Sequence, residues 1–402
     1  MPATRAEFRP DHDSELFAAA PANGAVFVLR GQEGSEPYVG KTANLRRRLQ
    51  RLFGTVEGQT RKLNLRERVR WVEWTPAASD FEASFLLYQT LRREFPKTYH
   101  KRLRLRFAPL IKLILDNPYP RASVTTRISS VKNAAQYFGP FPSRIAAEKF
   151  CNDALDLFKM RRCVDDLNPD PAFPGCIYSE MKMCLAPCFK GCTDEAYAAE
   201  VARVQEFFQS GGQSLRRETE RMRDEASTNL DFEGAAALHT RLDKVKAVIA
   251  QVPDIVRRLD ELNGVMIQPS AEADSVTLFK IASGTICDPV TLDFGKQAEA
   301  SQVGSKPQSM ESRITQALAA VEPPKLRGAL EWMEHLALLK RWYYRTSKVG
   351  ELFLTENGEL PMRRVVRGVS RVFRGEKAAP DLSETAGDYW QFRAREAGIP
   401  DK

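Results

Sequence analysis

The first hundred residues carry short apolar runs and one amphipathic stretch, a pattern that predicts a small α/β module. The run AVFVLR and the run PYVG are separated by the turn sequence GQEGSE, which is typical of two neighbouring strands. A basic segment then places leucines at helical spacing behind an asparagine cap. The predicted elements are strands at 25–30, 37–40 and 69–74, a helix capped by Asn44 with Leu45, Leu49 and Leu52 on its buried face, and a helix at 81–94. We place this module at residues 15–106.

The rest of the chain shows three further patterns. Residues 107–200 contain a proline-punctuated linker, one helix and a cysteine-rich stretch. Residues 201–255 are almost wholly helical, and two apolar stripes on either side of NLDF predict an antiparallel hairpin with Leu230 and Phe232 at its tip. Residues 256–402 begin with strand-like runs and continue into a long helix and an arginine-rich segment, to which we assign no role. The fold class predicted is therefore α+β, with several domains.

The helix near the C-terminus and the segment after it combine aromatic residues with arginines. Trp332, Leu336, Leu339 and Tyr343 fall on successive helical turns, and arginines recur at spacings of three and four in the sequence PMRRVVRGVSRVFRG. Aromatic residues beside arginines can stack on bases and hold phosphates. The more ordinary interpretation, which we favour, is that the aromatic residues pack inside and the arginines face solvent.

The distribution of charge favours a polyanionic partner. The chain has 60 Lys and Arg against 52 Asp and Glu, a formal net charge of +8. Residues 41–70 contain ten basic and two acidic residues, and residues 92–106 contain seven basic and one acidic. Two such blocks around one segment indicate a groove for nucleic acid, although a solubilising surface is the plain alternative. With no apolar run of about 20 residues and no secretory signal, we expect a cytoplasmic protein without a membrane partner.

Four side chains of the first module have the chemistry needed to cut a phosphodiester. Such a reaction requires an activated water, a divalent cation and a basic group on the phosphate oxygens. Tyr38 and Lys41 lie at a strand end, Arg48 lies one turn into the next helix, and Glu82 lies near the start of another helix. One carboxylate is enough to hold Mg²⁺ when waters and phosphate oxygens complete its shell. For Glu82 the alternative is equally good, because Ser79-Asp80-Phe81-Glu82 also matches a helix capping box.

Four cysteines lie within one short segment. Cys163, Cys176, Cys184 and Cys188 have the spacing C-x12-C-x7-C-x3-C. In a cytoplasmic chain, clustered cysteines are more often metal ligands than disulfides, and four thiolates suit either zinc or an iron–sulfur cluster. The alternative is four unrelated buried thiols.

The first module resembles the GIY-YIG nucleases, in the version found in the UvrC family of excinucleases, through AVFVLR, PYVGKTANLRRRL and FEASFLLYQTLRREFP. The resemblance implies that Tyr38 is a general base, that Lys41 and Arg48 bind phosphate and that Glu82 holds Mg²⁺ or Mn²⁺. Two positions depart from the family pattern. Phe27 replaces the tyrosine of the first half-motif and lacks its hydroxyl, and His100 replaces an asparagine.

The resemblance extends past this module. The string YFGP and the cysteine segment are similar to the family's linker and cysteine cluster, which implies a [4Fe-4S] cluster on Cys163, Cys176, Cys184 and Cys188, with Zn²⁺ as the alternative. The string NLDFEGAAALH resembles the UVR motif, which implies docking on a UvrB-type helicase. The predicted strands at 264–294 are also similar to strands of this family. Longer members contain in addition a second, RNase H-like nuclease and helix-hairpin-helix units, and we find no match to either in this sequence.

Two functions are consistent with these patterns. The first, which we favour from sequence, is a metal-dependent endonuclease that makes one incision, the 3′ one, in damaged double-stranded DNA during nucleotide excision repair. A UvrA-type loader would act indirectly, through the UvrB-type helicase. The alternative is a catalytically weak or inactive adaptor that binds DNA and this helicase.

Overall fold

The structure is a computed structural model that describes residues 4–54, 65–295, 308–326 and 328–376. It contains three antiparallel sheets and helices of very different length, so the predicted α+β class is confirmed. We call residues 4–106 the N-terminal module, residues 107–258 the middle region and residues 259–376 the C-terminal region.

The N-terminal module is a four-stranded sheet in the order β1-β4-β2-β3, with helices on both faces. Its strand β1 lies ahead of the predicted start of the module at residue 15. The strands are β1 (Thr4–Glu7), β2 (Ala25–Arg30), β3 (Tyr38–Thr42) and β4 (Trp71–Pro76), and the helices are α1 (Asp13–Ala19), α2 (Leu45–Phe53), α3 (Asp80–Glu94) and α4 (Tyr99–Leu103).

Side-chain alternation along the strands gives the two faces of this sheet different cores. Phe27 and Leu29 point toward α2, whose Leu45 and Leu49 are fully buried against them. Val26 points to the opposite face, where it packs with Ala83 of α3. The cap predicted at Asn44 is confirmed, because its side chain accepts a hydrogen bond from the backbone N–H of Arg47.

The middle region consists of a second four-stranded sheet, in the order β6-β5-β7-β8, and a series of helices that pack on it. The predicted helical hairpin is confirmed as α8 and α9. The strands are β5 (Leu110–Ile114), β6 (Arg121–Thr125), β7 (Tyr137–Gly139) and β8 (Arg257–Arg258), and the helices are α5 (Arg144–Leu155), α6 (Ile177–Glu180), α7 (Asp194–Gln209), α8 (Gln213–Thr228) and α9 (Phe232–Ile249).

The C-terminal region is a five-stranded sheet in the order β11-β10-β9-β13, with β12 also paired to β10. The interpretation of its aromatic helix is confirmed, since Trp332, Leu336 and Leu339 are buried. The strands are β9 (Gly264–Pro269), β10 (Ser275–Ala282), β11 (Thr285–Ile286), β12 (Val290–Asp293) and β13 (Glu351–Leu354), and the helices are α10 (Met310–Ala319), α11 (Ala329–Tyr343) and α12 (Met362–Phe373).

One face of the C-terminal sheet is covered by α10 and α12, and the other face is covered jointly by α11 and by α3 of the N-terminal module. The ring of Phe279 on β10 lies edge-on to Phe81, with centroids 5.1 Å apart, and to Phe85, with centroids 5.9 Å apart. Such edge-to-face pairs suit the charge distribution of aromatic rings. The helix α3 is therefore a core element of two units at once.

A buried polar network joins α3 to α11 beside these rings. The carboxylate of Glu334 accepts hydrogen bonds from the hydroxyls of Tyr88 and Tyr99, both at 3.1 Å. Arg92 donates to Tyr88 Oη at 2.8 Å and pairs with Glu331. Burial raises the pKa of Glu334, although the two tyrosine hydroxyls and the charge of Arg92 oppose this shift. Arg92 is thus the cation that compensates two largely buried carboxylates.

We expect Arg92→Ala to lower the free energy of unfolding by about 3 kcal/mol, because it leaves buried carboxylates without their cation. Arg93→Ala is the matched control, since the Arg93 side chain is exposed and such changes stay within about 0.5 kcal/mol. Urea unfolding monitored by tryptophan fluorescence measures both. Equal effects of the two substitutions would contradict the role given to Arg92.

Candidate functional site

The structure brings Tyr38 and Arg48 together. Tyr38 begins β3, an edge strand, and Arg48 lies on the first turn of α2, so a short connection places both on the same face of the sheet. Nη2 of Arg48 donates a hydrogen bond to Oη of Tyr38 at 2.9 Å. Both side chains are half-buried, so the phenol and the guanidinium together form a fixed polar pair that solvent still reaches.

Phe27 lies behind this pair and is buried. Its ring centroid is 6.0 Å from that of Tyr38, and in the strand register it faces Gly40 of β3. A Cβ at position 40 would lie 3.1 Å from Cζ of Phe27, so the glycine makes room for the ring. A hydroxyl is therefore missing at a position that contacts Tyr38, as the sequence indicated.

Lys41 lies on the other face of the sheet. Its ammonium group contacts Asp80 Oδ1 at 2.6 Å and Ser84 Oγ at 2.7 Å, both on α3. The second oxygen of Asp80 accepts from Arg345 of the C-terminal region at 2.6 Å. Burial raises the pKa of Asp80, but the hydrogen bond from Lys41 and the charges of Lys41, Arg345 and Arg341 outweigh it and hold this pKa below its usual value. The sheet therefore separates Lys41 from the Tyr38–Arg48 pair.

Glu82 closes the cap of α3. Ser79 Oγ accepts from the backbone N–H of Glu82 at 3.1 Å, and Glu82 Oε2 accepts from the backbone N–H of Ala78 at 2.8 Å. The residue is 1% exposed, and burial raises the pKa of its carboxyl group. The capping alternative is thus confirmed in the structure. This carboxylate does not fit a metal ion as it stands, since it is enclosed and already bound to the backbone.

His100 lies on α4 and is exposed; its ring contacts that of Tyr99, with centroids 5.8 Å apart. Of the predicted site residues, the structure therefore groups Tyr38, Arg48 and Phe27, and it places Lys41 on a different face. The sequence analysis did not identify Asp80 and Arg345 as part of this site. Asp80 pairs with the ammonium group of Lys41, and Arg345 pairs with Asp80. Arg345 carries no local signal, because only the packing of α11 on α3 brings it there.

The four cysteines of the predicted cluster share one neighbourhood at irregular backbone around α6. Burial raises the pKa of the Cys184 thiol to about 11, and the thiols of Cys163, Cys188 and Cys176 add to this shift. The sulfur of Cys184 accepts from the backbone N–H of Ala186 at 3.3 Å. Backbone hydrogen bonds to sulfur are one way in which proteins tune bound iron–sulfur clusters.

A buried cation lies against this group. Arg161 is 1% exposed, and its Nη1 donates to Cys163 Sγ at 3.2 Å and to a backbone oxygen at 2.9 Å. Its Nη2 is buried without a hydrogen-bond partner, and no carboxylate pairs with it among the described residues. A buried charge is costly unless it is compensated, and a set of ligating thiolates would supply the negative charge.

The donor set therefore fits a thiolate-bound metal centre in type and charge. Within the described part of the chain, no group of three or more His, Cys, Asp or Glu side chains is already arranged to hold a metal ion. To hold such a centre, the four sulfurs would have to move closer together.

The hairpin tip presents two apolar side chains to solvent. Leu230 is 72% exposed and Phe232 is 68% exposed. Between them, Asp231 caps α9 by accepting from the backbone N–H of Gly234 at 2.9 Å. The tip is thus a fixed turn with exposed apolar groups, as the sequence predicted.

Comparison with known proteins gives one family. Residues 109–207, a quarter of the chain, match the model of the middle domain of UvrC/Cho excinucleases. This match supports the UvrC family, and it suggests a nuclease with a role in nucleotide excision repair. No solved structure matches the chain. Among the described residues, none of the helices is long and apolar enough to cross a membrane.

The cap and the metal interpretation of Glu82 make different predictions for Glu82→Gln. The amide oxygen still accepts from Ala78, so we expect the variant to melt within a few degrees of the wild-type protein at neutral pH. Because burial makes the pKa of this carboxyl group higher in the folded state than in the unfolded chain, the wild-type protein loses stability as the pH rises through that pKa. Glutamine does not ionise, so the variant does not show this loss. Glu82→Ala keeps the hydrogen bond to Ser79 but loses the one from the Ala78 N–H, and we expect it to cost about 1 kcal/mol. Calorimetry with Mg²⁺ would contradict the cap interpretation if Mg²⁺ stabilised the wild-type protein but not Glu82→Gln.

For the cysteine group, we expect anaerobic reconstitution with iron and sulfide to give broad absorption near ~400 nm. Cys184→Ala should lose most of it. Cys151→Ala is the control, because Cys151 is buried in the core of the middle region and is not one of the four predicted ligands. Metal analysis of the purified protein distinguishes iron from zinc. Equal metal content in Cys184→Ala and the wild-type protein would exclude this site.

Proposed function

We propose that the protein is a UvrC-type excision-repair factor that binds DNA through its N-terminal module and does not cut it, because Glu82 does not hold a catalytic metal ion. The observation that carries the second half of this proposal is the enclosed carboxylate of Glu82 in the cap of α3. The excinuclease middle-domain match supports the first half.

Helix α2 supplies the DNA-binding surface. It contains four arginines and no acidic residue, and Arg47 and Arg51 are exposed. No ion pair engages either of them among the described residues. Together with the Tyr38–Arg48 pair, they present donors of the kind that bind phosphate oxygens and position DNA without reading its sequence.

The hairpin α8–α9 and the cysteine group complete the proposal. The exposed Leu230 and Phe232 offer an apolar tip on a charged hairpin, which suits docking on a UvrB-type helicase, with a UvrA-type loader acting indirectly. Cys163, Cys176, Cys184 and Cys188 would hold a [4Fe-4S] cluster, with Zn²⁺ as the alternative. In this arrangement the middle region links the DNA-binding module to the partner-binding tip.

A second candidate function is the metal-dependent endonuclease, which is favoured by the hydrogen bond between Arg48 and Tyr38. In this candidate, the ionised Oη of Tyr38 takes a proton from the attacking water, and the water oxygen bonds to phosphorus as the P–O bond to the leaving strand breaks. Arg48 holds a non-bridging phosphate oxygen, and a single incision, the 3′ one, results. Mg²⁺ or Mn²⁺ would supply charge neutralisation at the phosphate. We assign no step to Glu82, since its carboxylate is enclosed.

Binding and cutting are tested separately with the same variants. We expect Arg48→Ala to weaken binding to lesion-containing duplex about tenfold and to lower the salt slope of log K by about one, because one phosphate contact is lost. Arg144→Ala, which removes the same charge from an exposed arginine of α5, should leave both unchanged. Fluorescence anisotropy over a salt series measures these values.

Nicking is assayed with Mg²⁺ or Mn²⁺ and DNA loaded with a UvrB-type helicase. The proposal expects no nick from the wild-type protein. A nick that persists in Glu82→Gln and disappears in Tyr38→Phe would replace the proposal with the second candidate. A nick abolished by Glu82→Gln would restore the metal role of that residue.

A further inference from the structure

Arg161 lies just ahead of the first of the four cysteines, and the fold fixes its backbone. Its backbone N–H donates to Oη of Tyr197 on α7 at 3.2 Å. Slightly earlier in the chain, the backbone oxygen of Lys159 accepts from the N–H of Leu185 at 3.0 Å, and Leu185 directly follows Cys184. The backbone around Arg161 is therefore bound both to a long helix and to the segment that carries a second cysteine.

The guanidinium group of Arg161 is surrounded by neutral acceptors and one sulfur. Its Nε donates to the backbone oxygen of Tyr119 at 2.8 Å, and its Nη1 donates to the backbone oxygen of Asp165 at 2.9 Å. The same Nη1 donates to Sγ of Cys163 at 3.2 Å. Solvent does not reach Nη2, and no ion pair joins Arg161 to a carboxylate among the described residues. The charge is therefore enclosed without a compensating anion.

Other arginines of the protein show how such a charge is normally compensated. Arg162, the next residue, has a side chain that is 10% exposed, and its Nη2 pairs with the carboxylate of Asp156 at 2.6 Å. Arg92 likewise pairs with Glu331. Arg161 cannot avoid the cost of burial by losing its proton, because a guanidinium group stays charged in proteins. Its compensating negative charge must therefore come from groups other than carboxylates.

Metal-bound cysteines are groups of this kind. Four thiolates outweigh the positive charge of a Zn²⁺ ion or of an iron–sulfur core, so either centre keeps a net negative charge. The sulfur of a thiol is a weak acceptor, whereas a hydrogen bond to an ionised acceptor is strong. The contact between Arg161 and Cys163 therefore becomes stronger when Cys163 binds a metal as a thiolate.

We propose that Arg161 is a positioning residue of this metal centre, which holds the sulfur of Cys163 and offsets the negative charge of the bound cysteines. The inference rests on the proposed function, in which Cys163, Cys176, Cys184 and Cys188 hold the centre. Arg161 contacts a ligand, so it acts on the metal through Cys163. Its charge is uncompensated in the metal-free protein and is compensated in the metal-bound protein.

Competition between the full chain and a coloured Zn²⁺ chelator, at fixed pH and without oxygen, tests this role. Zn²⁺ suits the test because it binds four-thiolate sites without any redox change. Arg161→Met keeps a long side chain without charge, and we expect it to weaken Zn²⁺ binding by about 10- to 100-fold, as is usual when a group that orients a ligand is removed. Arg161→Lys keeps the charge and should retain most of the affinity. Arg144→Met, at an exposed position of α5, is the control and should bind as the wild-type protein does.

Urea unfolding of the metal-free variants distinguishes a role of the charge from a merely structural role. Without metal, lysine leaves a charge among neutral groups and methionine removes it, so we expect Arg161→Met to be at least as stable as Arg161→Lys. The order of the two variants is then opposite for Zn²⁺ affinity and for metal-free stability. A merely structural arginine would give the same order in both measurements. If Arg161→Met does not fold, the uncharged Arg161→Gln, which keeps an N–H donor, replaces it.

Three results would overturn the inference. Unchanged Zn²⁺ affinity in the folded uncharged variant, or equal losses of affinity in that variant and in Arg161→Lys, would exclude the role of Arg161 and leave the metal centre intact. If the wild-type protein binds Zn²⁺ no more tightly than Cys184→Ala does, the metal centre itself is excluded, and the inference is excluded with it.

Discussion

The packing of α3 between two sheets is the constraint on which the rest of the structure depends. Its Ala83 side packs on the N-terminal sheet, and its Phe81, Phe85 and Tyr88 side fills the core of the C-terminal region. A helix that is apolar on two sides must be covered on both, because exposed aromatic surface is unfavourable in water. The Arg92–Glu331 contact fixes the rotation of α3 about its own axis, since buried polar groups must find their partners.

The covering of α3 on both sides determines which polar groups of the N-terminal module reach solvent. Glu82 and Asp80 lie at the end of α3 where the C-terminal region arrives, so one carboxylate is enclosed and the other is shared by Lys41 and Arg345. The Tyr38–Arg48 pair lies on the opposite face of the N-terminal sheet from the contact between α3 and the C-terminal region, and it keeps its access to solvent. A solvent-exposed polar face and a covered face therefore result from the same packing of α3.

Much of this was accessible from the sequence, because it depends on local periodicity. Leucine spacing predicted α2, and the Ser79-x-x-Glu82 pattern contained the cap. Strand alternation also carried a signal that was not used: positions 38 and 41 differ by an odd number, so Tyr38 and Lys41 face opposite sides of β3. The pairing of Asp80 with Arg345 was not accessible, since 265 residues separate them and no local pattern reports a contact between distant helices.

The contact between α3 and α11 also determines when the N-terminal module can complete its packing during synthesis. Tyr88 and Glu334 are 246 residues apart, and contacts between distant residues form late. At translation rates of about 5–20 residues per second, about 12 s to about 50 s pass between the synthesis of Tyr88 on α3 and that of Glu334 on α11. During that interval the nascent N-terminal module exposes an uncovered aromatic surface, of the kind that makes an incomplete chain prone to aggregation.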